Sequence, residues 1–213
     1  MGCMVRKYYN DFETDRSVAV LDKLTSSADF VLIGGWAVHN YVKLQKSKDV
    51  DLVIPLESLG YFKGIGMQKH EISAFYSMID GIVVDVFVQG YSDKELTIPI
   101  SDILGNYNRV RNIKVVDKNM LLLLKLCGYF SWDRAKIEKD VIDVVSLLFY
   151  GEIDLKKVRE YINRYKIEDR NVRMGILEYL DKGANLWEYL TESKEEYVRL
   201  RNRYREEIKK TIY

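Results

Sequence analysis

Three aspartates in the first half of the chain are the side chains most able to do chemistry. Asp49 and Asp51 stand two positions apart, and Asp85 stands in the otherwise apolar sequence IVVDVFV. Side chains alternate along a strand, so Asp49 and Asp51 are predicted to point to the same side. A lone carboxylate in an apolar strand is costly to bury unless it is paired or bound to a metal. Carboxylates gathered in this way would bind two Mg²⁺ ions, which can hold a triphosphate and activate an attacking hydroxyl.

The sequence before Asp49 carries groups that could hold phosphate. An apolar strand is predicted over residues 30–33, and Gly34 and Gly35 follow it at the start of a helix-like stretch. Backbone N–H groups at a glycine turn and at a helix N-terminus bind phosphate oxygens. Taken alone, a glycine pair is most often a tight turn, and two carboxylates on a strand can be a solvated edge. Their order and spacing together favour a site for a divalent metal and a phosphate.

In this order, the motifs resemble those of the nucleotidyltransferase superfamily with the polymerase-β-like fold. The superfamily signature is matched here by Ile33-Gly34-Gly35, by Asp49-Val50-Asp51 and by Asp85. The run Lys46-Ser47-Lys48-Asp49-Val50-Asp51-Leu52 is similar to the R-T-K-D-I-D-L stretch of the AbiEii-like branch. That branch includes the toxins of type IV abortive-infection systems. It usually has Arg where Lys46 or Gln45 stands, so this element departs from the pattern.

The resemblance implies an α+β fold, in which a polymerase-β-like nucleotidyltransferase domain with a mixed sheet is followed by a helical domain. It implies an NTP substrate and two Mg²⁺ ions, with the metal ligands Asp49, Asp51 and Asp85. It also implies that the nucleotide is held by Gly34, Gly35, Ser47 and Lys48.

A second group of charged residues lies further along the chain. Lys125 stands among leucines in MLLLLKLCGYF, so it either extends to the surface or meets a negative partner. The AbiEii-like branch has a helix lysine, then an arginine, then K-D-x-x-D, and the matching residues are Lys125, Arg134, Lys139, Asp140 and Asp143. Lys125 is predicted to be a catalytic residue that contacts the NTP phosphates, and the others are predicted to bind nucleotide. The alternative is an ion-pair network within the protein that joins two helices.

The remaining pattern indicates two domains, a catalytic domain over residues 1–117 and a helical domain over residues 118–213 that closes the cleft. In the first, Asp80-Gly81 is predicted to be the turn between strands over residues 68–78 and 82–88. A single strand is predicted over residues 109–116. Its basic side chains either reach phosphate or line a solvated edge, and they are Arg109, Arg111 and Lys114. The helical domain is predicted to end in an amphipathic helix.

Composition limits the function classes. The 213 residues are 47% hydrophobic and 31% charged, and the formal net charge of +1 provides no global attraction to nucleic acid. Cys3 and Cys127 lack metal-ligand spacing and favour a reducing compartment over a disulfide framework. The sequence has neither a signal-peptide pattern nor an apolar run of ~18 residues, so a cytoplasmic protein without a membrane span is expected.

The leading functional hypothesis is an enzyme that transfers a nucleoside monophosphate from an NTP to an acceptor hydroxyl. By resemblance, the acceptor is a tRNA 3′ end or another RNA, a protein hydroxyl or a small molecule. A tRNA acceptor would suit a toxin of a type IV toxin–antitoxin system, whose partner is an antitoxin protein. The alternative is a nucleotide-binding regulatory or interaction protein on the same fold with little turnover.

Overall fold

The computed structural model describes residues 5–69, 75–127 and 134–212, and for residues 134–136 it describes the backbone alone. The chain divides into two compact units. The first, called the sheet unit, consists of Tyr9–Asn40 and Lys46–Asp117. The second, called the helical unit, consists of Met1–Tyr8, Tyr41–Gln45 and Lys118–Tyr213. The α+β class, with a mixed sheet followed by helices, is confirmed.

The sheet unit is built on one mixed sheet. Its strands are β1 Val31–Ile33, β2 Val50–Ile54, β3 Gln68–Lys69, β4 Phe75–Ile79, β5 Ile82–Val88, β6 Tyr107–Val110 and β7 Ile113–Val116. Their order across the sheet is β3-β4-β5-β2-β1-β7-β6. The pairs β2–β5 and β1–β7 are parallel, and the other neighbours are antiparallel. The parallel pairs bring segments that are distant in sequence to the centre of the sheet.

Two of the hairpins of this sheet have tight turns that the structure describes. Asp80 and Gly81 have φ values of 51° and 76°, and Ile79 pairs with Ile82. The predicted Asp-Gly turn is therefore confirmed. The single strand predicted over residues 68–78 is wrong, because β3 and β4 are separate strands that pair antiparallel to each other. The single strand predicted over residues 109–116 is wrong, because the chain reverses at Arg111, whose φ is 55°, and β6 pairs back on β7. The sequence lacks a glycine at that turn, which is why alternation alone suggested one continuous strand.

The segments before and between these strands form helices. They are α1 Asp11–Thr25, α2 Gly34–Val42, α3 Leu59–Gly64 and α4 Ile100–Gly105, with a 3₁₀ turn at Leu56–Ser58. The side chain of Asn10 caps α1 by accepting a hydrogen bond from the Glu13 backbone N–H at 3.0 Å. The core consists of apolar side chains that are fully buried in the neighbouring strands, among them Leu32, Leu52, Val84, Val86 and Val115. These side chains hold the strands that carry the aspartates in register.

In the part of the chain that the structure describes, the helical unit contains five α-helices. They are α5 Lys118–Cys127, α6 Arg134–Tyr150, α7 Leu155–Tyr165, α8 Asp169–Lys182 and α9 Lys194–Thr211, with 3₁₀ turns at Gly183–Asn185 and Trp187–Tyr189. The predicted C-terminal amphipathic helix is α9, which Ser193 caps by accepting from the Glu196 N–H at 3.1 Å. Its buried face packs Tyr197 and Tyr204 on Phe149, with ring centroids 5.5 and 5.7 Å apart. Burial raises the pKa of the Tyr197 hydroxyl, which donates to the Leu180 carbonyl.

Across the described ranges, each helix is either too short or too polar to cross a lipid bilayer.

Candidate functional site

Two of the predicted carboxylates are direct neighbours in the sheet. Asp51 on β2 pairs in register with Asp85 on β5, and the two strands are parallel. Paired residues on adjacent strands, about 4.8 Å apart, point to the same face of the sheet. Both residues are partly exposed, so the carboxylates can be reached from solvent. Two like charges at this spacing repel each other, and a divalent cation would relieve that repulsion.

Gly34 places the N-terminus of α2 against one of these carboxylates. Ile33 pairs with Asp51, and Gly34 follows it with a φ of 65°. A Cβ at position 34 would overlap the Oδ2 atom of Asp51, so only glycine fits. Gly35 is buried in the first turn of α2. The Asp51 carboxylate therefore lies beside the positive end of a helix, where a phosphate would also be favoured.

Asp49 occupies a different kind of position. β2 begins at Val50, and Asp49 lies in the bend immediately before it, where it is partly exposed. The alternation of side chains along β2 therefore does not by itself place Asp49 on the same side as Asp51. Asp49 is two residues from Asp51 in the sequence, and its role as a metal ligand stays a prediction.

The segment before Asp49 is fixed to the helices behind it. Ser47 is buried, and its carbonyl accepts a hydrogen bond at 2.7 Å from the Ser17 hydroxyl of α1. The same hydroxyl accepts a hydrogen bond at 3.1 Å from the Trp36 Nε1 of α2. Lys48 is exposed, with its Nζ 5.6 Å from the centre of the Tyr9 ring. The hydrogen bonds determine the path of the backbone into β2, and Lys48 adds positive charge at the surface.

The helical unit contains a compact cluster of four charges. Lys125 on α5 lies with its Nζ 3.0 Å from the Asp140 Oδ1 and 2.9 Å from the Asp143 Oδ2, both on α6. Lys139 on α6 pairs with the Oδ1 of Asp143. The side chain of Asp143 is 1% exposed and that of Lys139 is 7% exposed. The negative partner predicted for Lys125 is thus a pair of aspartates one turn apart.

The charges of this cluster stabilise one another. Burial alone would raise the pKa of Asp143, but the positive charges of Lys125 and Lys139 outweigh it and hold the pKa below its ordinary value of 3.8. The pKa of Lys139 is lowered below 10.5 by burial and by the charge of Lys125, against the attraction of Asp143 and Asp140. Asp143 is therefore ionised at neutral pH and is the group that compensates both lysines.

Solved structures share the fold of this chain. The Helicobacter pylori protein JHP933 is 14% identical, with a TM-score of 0.52 over 95% of this chain and 94% of that protein. A candidate nucleotidyltransferase from H. pylori is 13% identical, with a TM-score of 0.51 over 95% of this chain and 98% of that protein. This chain therefore shares the fold of these two H. pylori proteins, one of which is a candidate nucleotidyltransferase. Neither a protein-family model nor a curated protein matches the sequence.

The structure places the predicted site residues in two groups. Gly34, Gly35, Asp51 and Asp85 are brought together in the sheet unit, with Ser47, Lys48 and Asp49 on the segment that enters β2. Lys125, Lys139, Asp140 and Asp143 are brought together in the helical unit. Arg134 begins α6, but its side chain lies outside the described part of the structure. Nucleotide contact by the second group stays a prediction.

The donor set of the first group suits a hard cation. Asp51 and Asp85 offer carboxylate oxygens on one face of the sheet, which is the type of ligand that Mg²⁺ binds. Within the described ranges, no group of three or more His, Cys, Asp or Glu side chains is arranged as a ready metal site. The pair fits part of a Mg²⁺ coordination shell, and the complete ligand set stays a prediction.

Two residues with a structural role were not identified from the sequence. Ser17 carries no motif, and its role depends on the approach of α1 to the segment before β2. Gln45, near the position where the AbiEii-like branch has Arg, is a structural residue of the helical unit. Its amide accepts from the Tyr8 N–H at 2.9 Å and donates to the carbonyls of Arg6 and Tyr189 at 2.8 and 2.9 Å. The only signal for Gln45 in the sequence was its position as a polar residue next to the motif that begins at Lys46.

Proposed function

We propose that the protein is a Mg²⁺-dependent nucleotidyltransferase that transfers a nucleoside monophosphate from an NTP to an acceptor hydroxyl. The observation that carries the proposal is the in-register pair of Asp51 and Asp85, with Gly34 so close to Asp51 that a side chain is excluded. A structural role alone gives no reason to set two carboxylates side by side at a helix N-terminus. The H. pylori candidate nucleotidyltransferase supports the same reaction class.

The residues of the chain would bind and orient the reactants. The N–H groups at Gly34 and Gly35 would hold the triphosphate at the start of α2, with Ser47 and Lys48 beside it. Asp49, Asp51 and Asp85 would hold Mg²⁺, which when bound would neutralise the charge of the phosphates. A new bond would form between the acceptor oxygen and the α-phosphorus, and the bond to pyrophosphate would break. The proton of the acceptor hydroxyl would leave towards the carboxylates.

The finer proposal concerns the acceptor and the biological role. Because residues 46–52 resemble the AbiEii-like branch, we propose an RNA acceptor such as a tRNA 3′ end, in a cytoplasmic toxin controlled by an antitoxin protein. This part rests on the sequence resemblance and not on the fold. Expression of the chain alone in a bacterial host would test it, because a toxin arrests growth and an inactive Asp51 variant does not.

The second candidate function is nucleotide binding with little turnover. The observation that favours it is the position of Asp49 in the bend before β2, since a carboxylate there is not held on the Asp51 face by strand geometry. A nucleotide-binding regulatory protein would need the phosphate cradle but not all three carboxylates. Turnover measurements separate this candidate from the enzyme.

The experiment combines a transfer assay with a binding assay. The protein is incubated with each α-labelled NTP, Mg²⁺ and total cellular RNA or protein, and label in the macromolecular fraction is counted. Thermal unfolding with the same NTP reports binding, since a ligand at 100 times its Kd stabilises by about 2.7 kcal/mol. D51N and D85N are expected to lose transfer while remaining folded, whereas D93N, at an exposed loop position, is expected to retain it.

The outcomes separate the candidates clearly. Binding of an NTP without transfer to any acceptor would favour the regulatory protein. Full transfer activity in D51N or D85N would refute the metal and catalytic assignment of that residue. Absence of any NTP-dependent shift in the unfolding temperature would refute the nucleotide site itself.

A further inference from the structure

The edge of the sheet at β6 and β7 exposes a group of basic and aromatic side chains. Tyr107 is 36% exposed, and it lies between the Lys114 Nζ, 5.2 Å from its ring centre, and the guanidinium carbon of Arg109, 6.0 Å away. Arg109 pairs directly with Lys114 across the hairpin, so all three point to one face. We call Tyr107, Arg109 and Lys114 the edge face.

The strand register aligns the edge face with the paired carboxylates. Tyr107 pairs with Val116, and Leu32 pairs with Val115, so Val116 stands level with Ile33. Ile33 pairs with Asp51, which pairs with Asp85. Tyr107, Asp51 and Asp85 therefore lie in one row and on one face of the sheet. Val116 and Ile33, which stand between Tyr107 and Asp51 in this row, are buried, so a ligand that reaches from one to the other must pass outside them. β6 is three strands from β2, which at about 4.8 Å per strand is about 14 Å.

The chemistry of the edge face suits a polynucleotide. An exposed aromatic ring stacks with nucleic-acid bases, and a guanidinium beside it can contact the backbone phosphates. Lys114 is already held by Asp29 at 2.5 Å, so its main effect is to position the ring, and Arg109 is the cation for phosphate. Basic side chains also protect edge strands from pairing with another chain, but charge alone would not require a tyrosine in the carboxylate row.

The polar surface continues beyond the edge face, away from the carboxylate row. A cavity of about 290 Å³ lies at the other end of the hairpin, lined by polar side chains that include Arg109, Asn112, Lys114 and Asp29. Arg109 thus belongs both to the edge face and to this cavity. A strand that passes Tyr107 would find a second contact there, further from the carboxylates.

We propose that the edge face binds the single-stranded end of a polynucleotide acceptor, with a base about four nucleotides or more from the reacting terminus stacked on Tyr107 and an adjoining phosphate on Arg109. The proposal rests on the proposed function, and it specifies the class of acceptor. Its direction follows from the row: the terminal hydroxyl lies towards Asp51, and the upstream nucleotides run towards the cavity. At about 3.4 Å per stacked nucleotide, the 14 Å between β6 and β2 sets a minimum of about four nucleotides, because the strand must pass outside the buried Val116 and Ile33.

The test measures binding of a 5′-fluorescent twelve-nucleotide RNA, and of DNA of the same sequence, by anisotropy at several salt concentrations. Y107A is expected to weaken binding about tenfold, and R109A is expected to reduce the slope of log K against log salt by about 0.7. The matched controls are Y91A, which removes another exposed tyrosine, and K69A, which removes a charge from the opposite edge strand. Both controls are expected to bind as the wild type does.

Further arms separate this inference from the proposed function. D51N is expected to retain oligonucleotide binding, and Y107A is expected to retain the NTP-dependent thermal shift. For a three-nucleotide RNA, wild type and Y107A are expected to bind with equal affinity, because this RNA is too short to reach from the carboxylates to the Tyr107 ring. If Y107A is not folded by circular dichroism, Y107L replaces it, since it keeps an apolar side chain without the aromatic ring.

Three results would overturn the inference. One is equal oligonucleotide affinity in wild type, Y107A and R109A. Another is an NTP-dependent shift in wild type with no binding of either oligonucleotide, which would leave the proposed function intact. The third is a change of oligomeric state in Y107A without a change in affinity, which would identify the edge as a protein interface. Preference for RNA or for DNA identifies the acceptor and supports the proposal in either case.

Discussion

Neutralising Asp143 is expected to destabilise the protein strongly. In D143N, the side chain keeps its shape but loses the charge that compensates both Lys139 and Lys125. Lys139 is 7% exposed and has Asp143 as its ion-pair partner on α6. Removing one member of a buried ion pair typically costs about 3–5 kcal/mol, because the remaining charge stays buried. Lys125 is 15% exposed and retains Asp140, so its contribution to the loss is smaller.

The expected loss of unfolding free energy is therefore about 3 kcal/mol or more, a large part of the ~5–15 kcal/mol of a typical domain. The assay is urea unfolding followed by far-ultraviolet circular dichroism at neutral pH. The matched control is D140N, whose side chain is 23% exposed and pairs with Lys125 at 3.0 Å. Because solvent screens that pair, its loss is expected to be about 1 kcal/mol or less.

A double variant tests the physical reason. Replacing Lys139 by Met and Asp143 by Leu together removes both buried charges, and an apolar pair of similar volume is often as stable as the ion pair. K139M/D143L is therefore expected to be more stable than D143N. A loss below about 1 kcal/mol in D143N, with an unchanged denaturant slope, would show that Lys139 is not buried as a charge and would refute the reasoning.

Three further predictions concern the same two groups of residues. Because the folded-state pKa of Asp143 is lowered, its ionised carboxylate stabilises the protein above pH 3.8, and this stabilisation is lost as pH falls through the folded-state pKa. The unfolding free energies of wild type and D143N, measured as pH is lowered, should therefore converge below pH 3.8. G34A should lower the unfolding free energy by about 1–2 kcal/mol, because residue 34 has a left-handed φ. The new Cβ should also displace Asp51 and abolish transfer. G60A is the control, since a Cβ there meets open space, and it should keep both stability and transfer. K125M should lower the unfolding free energy by no more than about 1 kcal/mol, because Asp143 keeps Lys139 as a partner. It should weaken NTP binding, measured by calorimetry at equal Mg²⁺. Unchanged affinity would leave Lys125 with a structural role alone.

Local features were predictable because a few neighbouring residues determine them. The Asp80-Gly81 turn needs positive φ at two consecutive positions, and aspartate and glycine tolerate it. The helix α9 was predicted from an apolar stripe at helical spacing, and the structure adds Ser193 as its cap. The motif formed by the glycine pair and the aspartates could also be recognised from the sequence, because its parts follow one another along the chain.

Other local features were not predictable. The turn at Arg111 reverses the chain without a glycine, so the sequence indicated one strand where the structure has two. The left-handed conformation of Arg111 is unfavourable by itself, and pairing between β6 and β7 compensates for it. The edge face exists only because of this reversal, since it sets Arg109 opposite Lys114.

For the candidate site, the sequence by itself determined which side chains are present and that an isolated Asp85 and an isolated Lys125 each require a partner or a ligand. The tertiary structure decided their neighbours. The parallel pairing of β2 with β5 sets Asp51 beside Asp85, where the two carboxylates could share a cation, and α6 supplies Asp140 and Asp143 as the ion-pair partners of Lys125. The physical reason is that the cost of burying a charge belongs to the residue, whereas the register of distant strands and helices depends on the packing of the whole core.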